Sequence, residues 1–312
     1  RILHLIDSMS LGGAEQLLAG VVEAWPSDSQ VLAILHPQNY FSKKTRHIPV
    51  VPLPYSGKVS SLPRTIHALR KLIRDERITH IHTHLYWSTI IGRLACPKNL
   101  KLFTSYHSLL YHRSNRAQFG QKRLWLDRVT YQKRHHVIFV SRAVQKVVGP
   151  AVGIRSHFSI LPNYIEDDFF ETSLPDFSAD GPIRAIAVGN FRPEKNYPTL
   201  IKGLAKIPHS DIQLDIYGDG AEKTEIEELI RSTGASHIRL CGQTRNLARI
   251  LPQYQLFIMA SNFEGFGLAL AEAMAVGLPS LVSDIPAFRE ISQGQALFFN
   301  PHKIADLTLK IK

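Results

Sequence analysis

The 312 residues are 44% hydrophobic and 20% charged, and at about 150 residues per domain they suffice for two α/β domains. No apolar run approaches the roughly 20 residues needed to cross a bilayer, so no membrane-spanning segment is expected. Charge is lopsided: 37 Lys and Arg face 26 Asp and Glu, and from Lys98 to Lys146 eleven basic residues accompany a single acid, Asp127. Such a local basic field attracts nucleic acid, an anionic bilayer or a phosphorylated substrate.

In chain order, residues 2–7 (ILHLID) read as a buried strand rather than a signal peptide, because no small-residue cleavage site follows. Ser-Leu-Gly-Gly then breaks the chain, and residues 14–25 carry apolar side chains at helical spacing up to Pro26. Strands are predicted at 31–35 and 47–53, and an amphipathic helix at 62–76. Strands at 78–84 and 100–107 follow, then a basic helix over roughly 117–135 and a strand at 137–141. Residues 171–182 (ETSLPDFSADGP) hold two prolines, a glycine and small polar residues without periodicity, as a linker does. Strand-helix alternation resumes at 183–189, 212–218, 238–242, 256–261 and 279–283. The pattern predicts parallel sheets in two winding halves, 1–172 and 183–312, joined through 173–182, with a binding crevice at the strands' carboxyl ends. Cys96 and Cys241 match no metal or redox spacing and read as core thiols in a reducing compartment. The chain opens without Met and closes on IADLTLKIK as if inside a helix, so a longer parent chain is expected.

The strongest chemical signal is EGFGLALAEAMAVGLP (264–279). A strand ends near Ser261, the chain turns through Glu264-Gly265-Phe266-Gly267, and a helix opens at Leu268. The amides of Phe266, Gly267, Leu268 and Ala269 then point out of a helix N-terminus, a ready seat for phosphate. Glu264 in the loop and Glu272 eight residues on would repel a pyrophosphate unless they accept hydrogen bonds from sugar hydroxyls. In VGNFRPEKNYPTLI (188–201) a strand delivers Arg192 and Lys195, a planar fork and a point charge suited to a diphosphate.

The Glu-x7-Glu segment in this setting resembles the signature of the GT4 family of retaining glycosyltransferases. These have the GT-B fold, two Rossmann-like doubly wound parallel-sheet domains facing across a cleft. The resemblance implies that Glu264 holds the donor sugar's hydroxyls and Glu272 the nucleotide ribose. The 188–201 segment, including Gly189, resembles the family's G-x-(L/F)-x-x-x-K-G element, whose Arg and Lys stabilise the departing diphosphate. Asn196 stands where Gly is usual, and Asn tolerates the left-handed conformation. SLGGAEQLL (10–18) resembles the N-domain Gly-Gly-Ala-Glu loop, placing the amides of Gly12 and Gly13 near the donor phosphates. IYGDGAE (216–222), with Gly218, resembles the glycine-rich turn near the nucleotide. His107, closing the strand at 100–107, resembles the histidine that faces the reacting sugar. PNYIEDDFF (162–170) resembles a segment leading to the hinge, with Tyr164 and Glu166 replacing Gly and Asp. The matches run from Ser10 to about Pro279.

His80, His82 and His84 alternate, so a strand puts all three on one face, where they could ligate a metal. The resemblance is to a metal-independent family with a similar I-H-x-H element, which implies no metal and no cofactor, the nucleotide sugar being a substrate. The whole reads as a retaining hexosyltransferase, moving a sugar from a UDP- or GDP-sugar to a glycan or lipid-linked acceptor in cell-surface polysaccharide biosynthesis. The N-terminal half binds acceptor, and the basic 98–146 segment docks on an anionic membrane surface, which implies a cytoplasmic protein peripheral to the inner face of the membrane. A nucleotide-sugar epimerase or a phosphorylase shares this fold. A nucleic-acid-binding protein would account for the charge but not for Glu264, Glu272 and the phosphate loops, and no nucleic-acid partner is expected.

Overall fold

The computed structural model describes residues 1–112, 116–172, 177 and 181–312. The chain divides into two compact units, Arg1–Tyr164 and Ile165–Lys312. The linker expected at 173–182 lies largely outside the described residues. Ile165 and Phe169, which precede it, pack into the core of the second unit.

The first unit runs β1 (Ile2–Ile6), α1 (Gly13–Ala24), β2 (Gln30–Ile34), α2 (Ser42–Thr45), β3 (Val50–Pro52), α3 (Leu62–Asp75), β4 (His80–His84), α4 (Tyr86–Ala95), β5 (Lys101–Tyr106), α5 (Arg116–Thr130), β6 (His136–Phe139), α6 (Arg142–Val152) and β7 (Phe158–Ile160). Its sheet is ordered β3-β2-β1-β4-β5-β6-β7 with every pairing parallel. Strands of a parallel sheet carry helices on both faces, so their sequences read as continuous apolar runs; all five residues of β2 are buried. Leu3 and Leu5 of β1 pack with Leu69 and Ile73 of α3 and Ile91 of α4. Ile6 and Leu32 pack instead with Leu18, Ala19 and Val22 of α1.

The second unit runs β8 (Ile183–Val188), α7 (Tyr197–Leu204), β9 (Ile212–Tyr217), α8 (Lys223–Thr233), β10 (Ile238–Gly242), α9 (Leu247–Ile250), β11 (Leu256–Met259), α10 (Leu268–Ala275), β12 (Ser280–Ser283), α11 (Pro286–Ser292), β13 (Leu297–Phe299) and α12 (Ile304–Ile311). The sheet order is β10-β9-β8-β11-β12-β13, again all parallel. Alternation fixes the faces. Ala185, Ala187, Ile258 and Leu281 join α7, α8 and α12 in one core, and Ile186, Phe257, Met259 and Val282 join α10 and α11 in the other. Burying one such Ile or Leu stabilises by about 2 kcal/mol, so a slip by one residue, which exchanges the two faces, is strongly disfavoured.

Both sheets reverse direction once, between β1 and β4 and between β8 and β11. Loops at the carboxyl ends of those strand pairs are where doubly wound sheets bind ligands.

The basic helix departs from the sequence expectation. It ends at Thr130 rather than near His135, and Gly120 (φ 56, ψ 155) interrupts it. Its one acid faces inward: Asp127 accepts from Arg93 Nη1 (2.5 Å), Tyr106 Oη (2.8 Å) and Tyr111 Oη (2.5 Å). That network ties α5 to α4 and β5, with the Arg93 and Asp127 side chains 0% and 1% exposed.

Candidate functional site

In the second unit the two loops at the reversal point meet. After β8, Gly189 donates to the Tyr217 carbonyl (3.0 Å), and Tyr197 Oη donates to the Gly189 carbonyl (2.7 Å). Gly218, at the end of β9, approaches so closely that a Cβ there would lie 2.0 Å from the Gly189 oxygen. Only glycine fits that contact. Asn196 takes φ 52, ψ 41, the left-handed conformation its amide side chain tolerates, and α7 starts directly after it.

Lys195 Nζ donates to Glu264 Oε1 at 2.6 Å, and Ser261 Oγ donates to the same oxygen at 2.8 Å. The Asn262 amide donates to the Glu194 carbonyl (2.8 Å), stitching the β8 loop to the β11 loop. The Lys195 and Glu264 side chains are 18% and 11% exposed, so the pair is held rather than freely solvated. Burial, reinforced by the Glu264 charge, pushes the Tyr197 hydroxyl well above its ordinary range and keeps it a neutral donor. Arg192 is extended (φ −136, ψ 154) and exposed.

Downstream of Glu264, Gly267 adopts φ 96, where a Cβ would also come within 2.7 Å of Phe288. The amides of Leu270 and Ala271 both donate to the Gly267 carbonyl, closing the first turn of α10. The amides of Phe266, Gly267, Leu268 and Ala269 precede that turn and have no backbone partner among the described residues. Glu272 sits inside α10 and is buried. A positively polarised helix start thus lies in the same loop as a carboxylate that is salt-bridged to an ammonium. An anion arriving there meets amides and a lysine, and a hydroxylated group meets Glu264.

The first unit, taken by itself, carries its candidate residues at the ends of β1, β4 and β5. Gly12 precedes α1 and Gly13 opens it; a Cβ on Gly12 would strike the Glu15 carboxylate at 2.4 Å. Ser10 Oγ donates to Glu15 Oε1 (2.8 Å), which braces the turn. His107 closes β5, its Nε2 3.2 Å from His84 Nδ1. Burial lowers the His107 pKa to about 4, so the ring is neutral near pH 7.

His80, His82 and His84 share one face of β4 as the alternation predicts, but the three rings that cluster are a different set. His82 and His84 gather with His4 of β1, which the β1–β4 register sets opposite His82. His80 instead bonds Thr79 Oγ1 through Nδ1 (2.9 Å) and stacks over Phe103. Sequence reasoning also missed Asp7, whose carboxylate accepts the Ser88 amide (2.7 Å) and the Trp87 amide (3.3 Å) at the start of α4. An acid ending one strand of an α/β unit is a signal for such a cap. Ser261 was missed as well; a hydroxyl three residues before a loop carboxylate is a partner worth seeking. The two thiols are free: Cys96 is buried and Cys241 partly so.

Two doubly wound parallel-sheet units with chemistry-bearing loops at the carboxyl ends of their strands are the make-up of the GT-B fold, which the likeness to solved structures shows. Residues 11–169 match the model of Glycosyltransferase Family 4, and residues 171–312 match that of Glycosyl transferases group 1. The chain belongs to these family 4, group 1 glycosyltransferases. It is 40% identical over 98 residues to the GtfA subunit of a UDP-N-acetylglucosamine–peptide N-acetylglucosaminyltransferase from Streptococcus agalactiae, covering 30% of this chain and 19% of that subunit. Alignments with GtfA subunits thus span about a fifth of those proteins. EpsF of Bacillus subtilis (strain 168) is 24% identical over 313 residues, covering 91% of this chain and 79% of EpsF. Crystalline HepE of Anabaena, in complex with UDP and glucose, superposes with a TM-score of 0.86 at 20% identity, covering 99% of this chain and 88% of HepE. At that identity the likeness speaks to fold. Among the described residues, no helix is long and apolar enough to cross a membrane.

Proposed function

We propose that this glycosyltransferase takes a sugar from a UDP- or GDP-sugar and transfers it, with retention at the anomeric carbon, to a glycan or lipid-linked acceptor in cell-surface polysaccharide biosynthesis. The observation that carries the reading is the Lys195–Glu264 pair beside the open start of α10. Arg192, Lys195 and the amides of 266–269 take the charge that builds on the diphosphate as the anomeric carbon–oxygen bond breaks. Each such preorganised donor is worth about 3 kcal/mol. Glu264 accepts from sugar hydroxyls and Glu272 from the ribose, while Gly189 and Gly218 let the backbone approach the nucleotide. The acceptor hydroxyl attacks from the departing side, and its proton passes to the leaving phosphate oxygen. In the first unit, assigned to the acceptor, His107 keeps the sugar-facing role and the Gly12–Gly13 turn the phosphate role implied by resemblance. UDP with glucose in HepE and the UDP-N-acetylglucosamine in the name of the GtfA enzyme favour a uridine donor.

A panel of UDP-, GDP-, ADP- and CMP-sugars is first screened for thermal stabilisation, since binding raises the melting point by mass action. The donor so found is then supplied with acceptor, and the new linkage is read by proton NMR. Retention supports the proposal; inversion contradicts it. Epimerisation of the nucleotide sugar without acceptor establishes the epimerase instead.

We further propose that the 98–146 segment rests on an anionic bilayer that carries the acceptor. With Asp127 turned inward, the outer face of α5 presents exposed Lys122 and Arg128 around Trp125 (63% exposed) and Val129 (54%), one turn apart. Arg123 stacks over Tyr86, and Arg134 donates to the carbonyls of Pro97 and Lys98, so both serve the local fold. The informative variant is therefore Lys122→Glu/Trp125→Ala/Lys133→Glu. It should lose most binding to phosphatidylglycerol vesicles; unaltered binding rules the surface out.

A further inference from the structure

We propose that His4, His82 and His84 form a binding site for one late first-row divalent cation of the zinc class. β1 and β4 are neighbours in register, and the two-residue period of a strand sets all three rings on one face at the sheet's reversal point. Each ring offers a nitrogen, and the three nitrogens lie within 4.8 Å of one another. Ring centroids are 5.7 Å apart for His4–His82, 6.1 Å for His4–His84 and 4.0 Å for His82–His84.

The hydrogen bonds around two of the three rings match what ligation requires. A ligating imidazole uses one nitrogen for the metal and the other for a partner that fixes its orientation. His82 Nε2 bonds Ser105 Oγ at 2.8 Å, and His84 Nδ1 bonds His107 Nε2 at 3.2 Å. The remaining nitrogen of His84, Nε2, is buried without a partner, as is His4 Nδ1. Leaving each such buried atom unpaired is unfavourable, and ligation removes that cost. Burial holds the rings in the neutral form that ligates, lowering His4 to about 4 and His82 to about 3, with His84 also well below its ordinary value.

The donor set selects the ion. Three imidazoles and no carboxylate suit Zn2+, Co2+, Ni2+ or Cu2+, not Mg2+ or Ca2+. Three protein ligands leave a fourth position for water or another ligand. At nitrogen–zinc distances of about 2.0–2.1 Å the nitrogens must close to about 3.4 Å, a movement within reach of side-chain rotation. An ion on His84 Nε2 leaves Nδ1 protonated and donating to His107 Nε2. The His107 proton then sits on Nδ1, which is otherwise a buried nitrogen without a partner. The cation so fixes the tautomer of His107. Leu85, next to His84, is held at φ 69, a strained conformation for a branched side chain of the kind that clusters at functional positions.

The whole chain, freed of metal by chelator, is titrated with Co2+, and the visible absorption of low-coordinate Co2+ is followed with Zn2+ as competitor. One Co2+ per chain, displaced by Zn2+, is expected. His4→Gln and His84→Gln should each weaken it about 100-fold, and His80→Gln should leave it unchanged. Far-ultraviolet circular dichroism confirms that the variants fold. Should either fail to fold, ring-nitrogen NMR of the wild type serves instead: Zn2+ must shift the resonances of His4, His82 and His84 and spare those of His80. Absence of stoichiometric Co2+ binding, equal binding by the folded variants, or Zn2+ shifts confined to other histidines overturns the proposal.

Discussion

Removing Asp127 should unfold the first unit selectively, and the network around it sets the size of the effect. Asp127→Ala strands the Arg93 guanidinium, which is 0% exposed, and takes the acceptor from Tyr106 and Tyr111. Breaking a buried ion pair from one side costs about 3–5 kcal/mol, and each orphaned hydroxyl about 1–3 more. Arg93 keeps two weaker partners, the Asp127 carbonyl and Tyr106 Oη, both at 3.1 Å. The expected loss is therefore at the low end of that sum, about 5 kcal/mol, or about 10–20 °C in melting temperature for a unit of this size. The double variant Arg93→Met/Asp127→Leu, which removes both charges, should recover at least half of that, since apolar replacement of a buried pair is often neutral. Tryptophan fluorescence in urea isolates the effect, because Trp25, Trp87 and Trp125 all lie in the first unit. A loss below about 1 kcal/mol for Asp127→Ala, or strictly additive single-variant effects, would refute the network as described.

His135 adds a pH dependence next to that network. Its ring is fully buried, and burial, with Arg93 and Arg134 nearby, lowers its pKa from 6.5 to about 4. The unfolded chain therefore takes up the proton first as pH falls. Stability is complete above pH 6.5 and declines through pH 4, by up to about 3 kcal/mol at 1.36 kcal/mol per unit. His135→Gln should flatten that part of the fluorescence-monitored profile; an unchanged slope argues that the ring is not buried neutral. In the second unit, Gly218→Ala forces a Cβ to 2.0 Å from the Gly189 carbonyl and should cost about 2–3 kcal/mol by backbone displacement. Hydrogen exchange at β8 and β9 reads this, with faster exchange expected there and none in the first unit. Gly234→Ala meets no neighbour but has φ 67, so it should cost about 1 kcal/mol and serves as the reference for strain alone.

The strands with long apolar runs were legible because burial on both sheet faces writes itself into the sequence, and β1, β5, β8 and β9 fall where the runs do. β7 and β13, with three residues each, were not, since so short a run has no period to detect. Lys195 and Glu264 were legible as motifs, and their meeting across 69 positions follows from the neighbouring placement of β8 and β11. His4 was invisible because a histidine inside an apolar run acquires a partner only through strand register. Tyr164 looked like a disruption of a glycine position. The fold instead gives its hydroxyl the Leu17 carbonyl (3.0 Å) and sets it against Gly20, where a Cβ would come within 1.9 Å of that oxygen. Asp127 counted as one acid in a basic stretch, and only packing shows that it points inward.

The central claim, that the β8 and β11 loops seize a diphosphate, is most directly tested by a structure with the free nucleotide diphosphate whose sugar conjugate stabilises the protein. Its phosphate oxygens should lie within about 3.2 Å of the 266–269 amides and of Lys195 Nζ. A nucleotide bound elsewhere, with the α10 amides left to solvent, would contradict it.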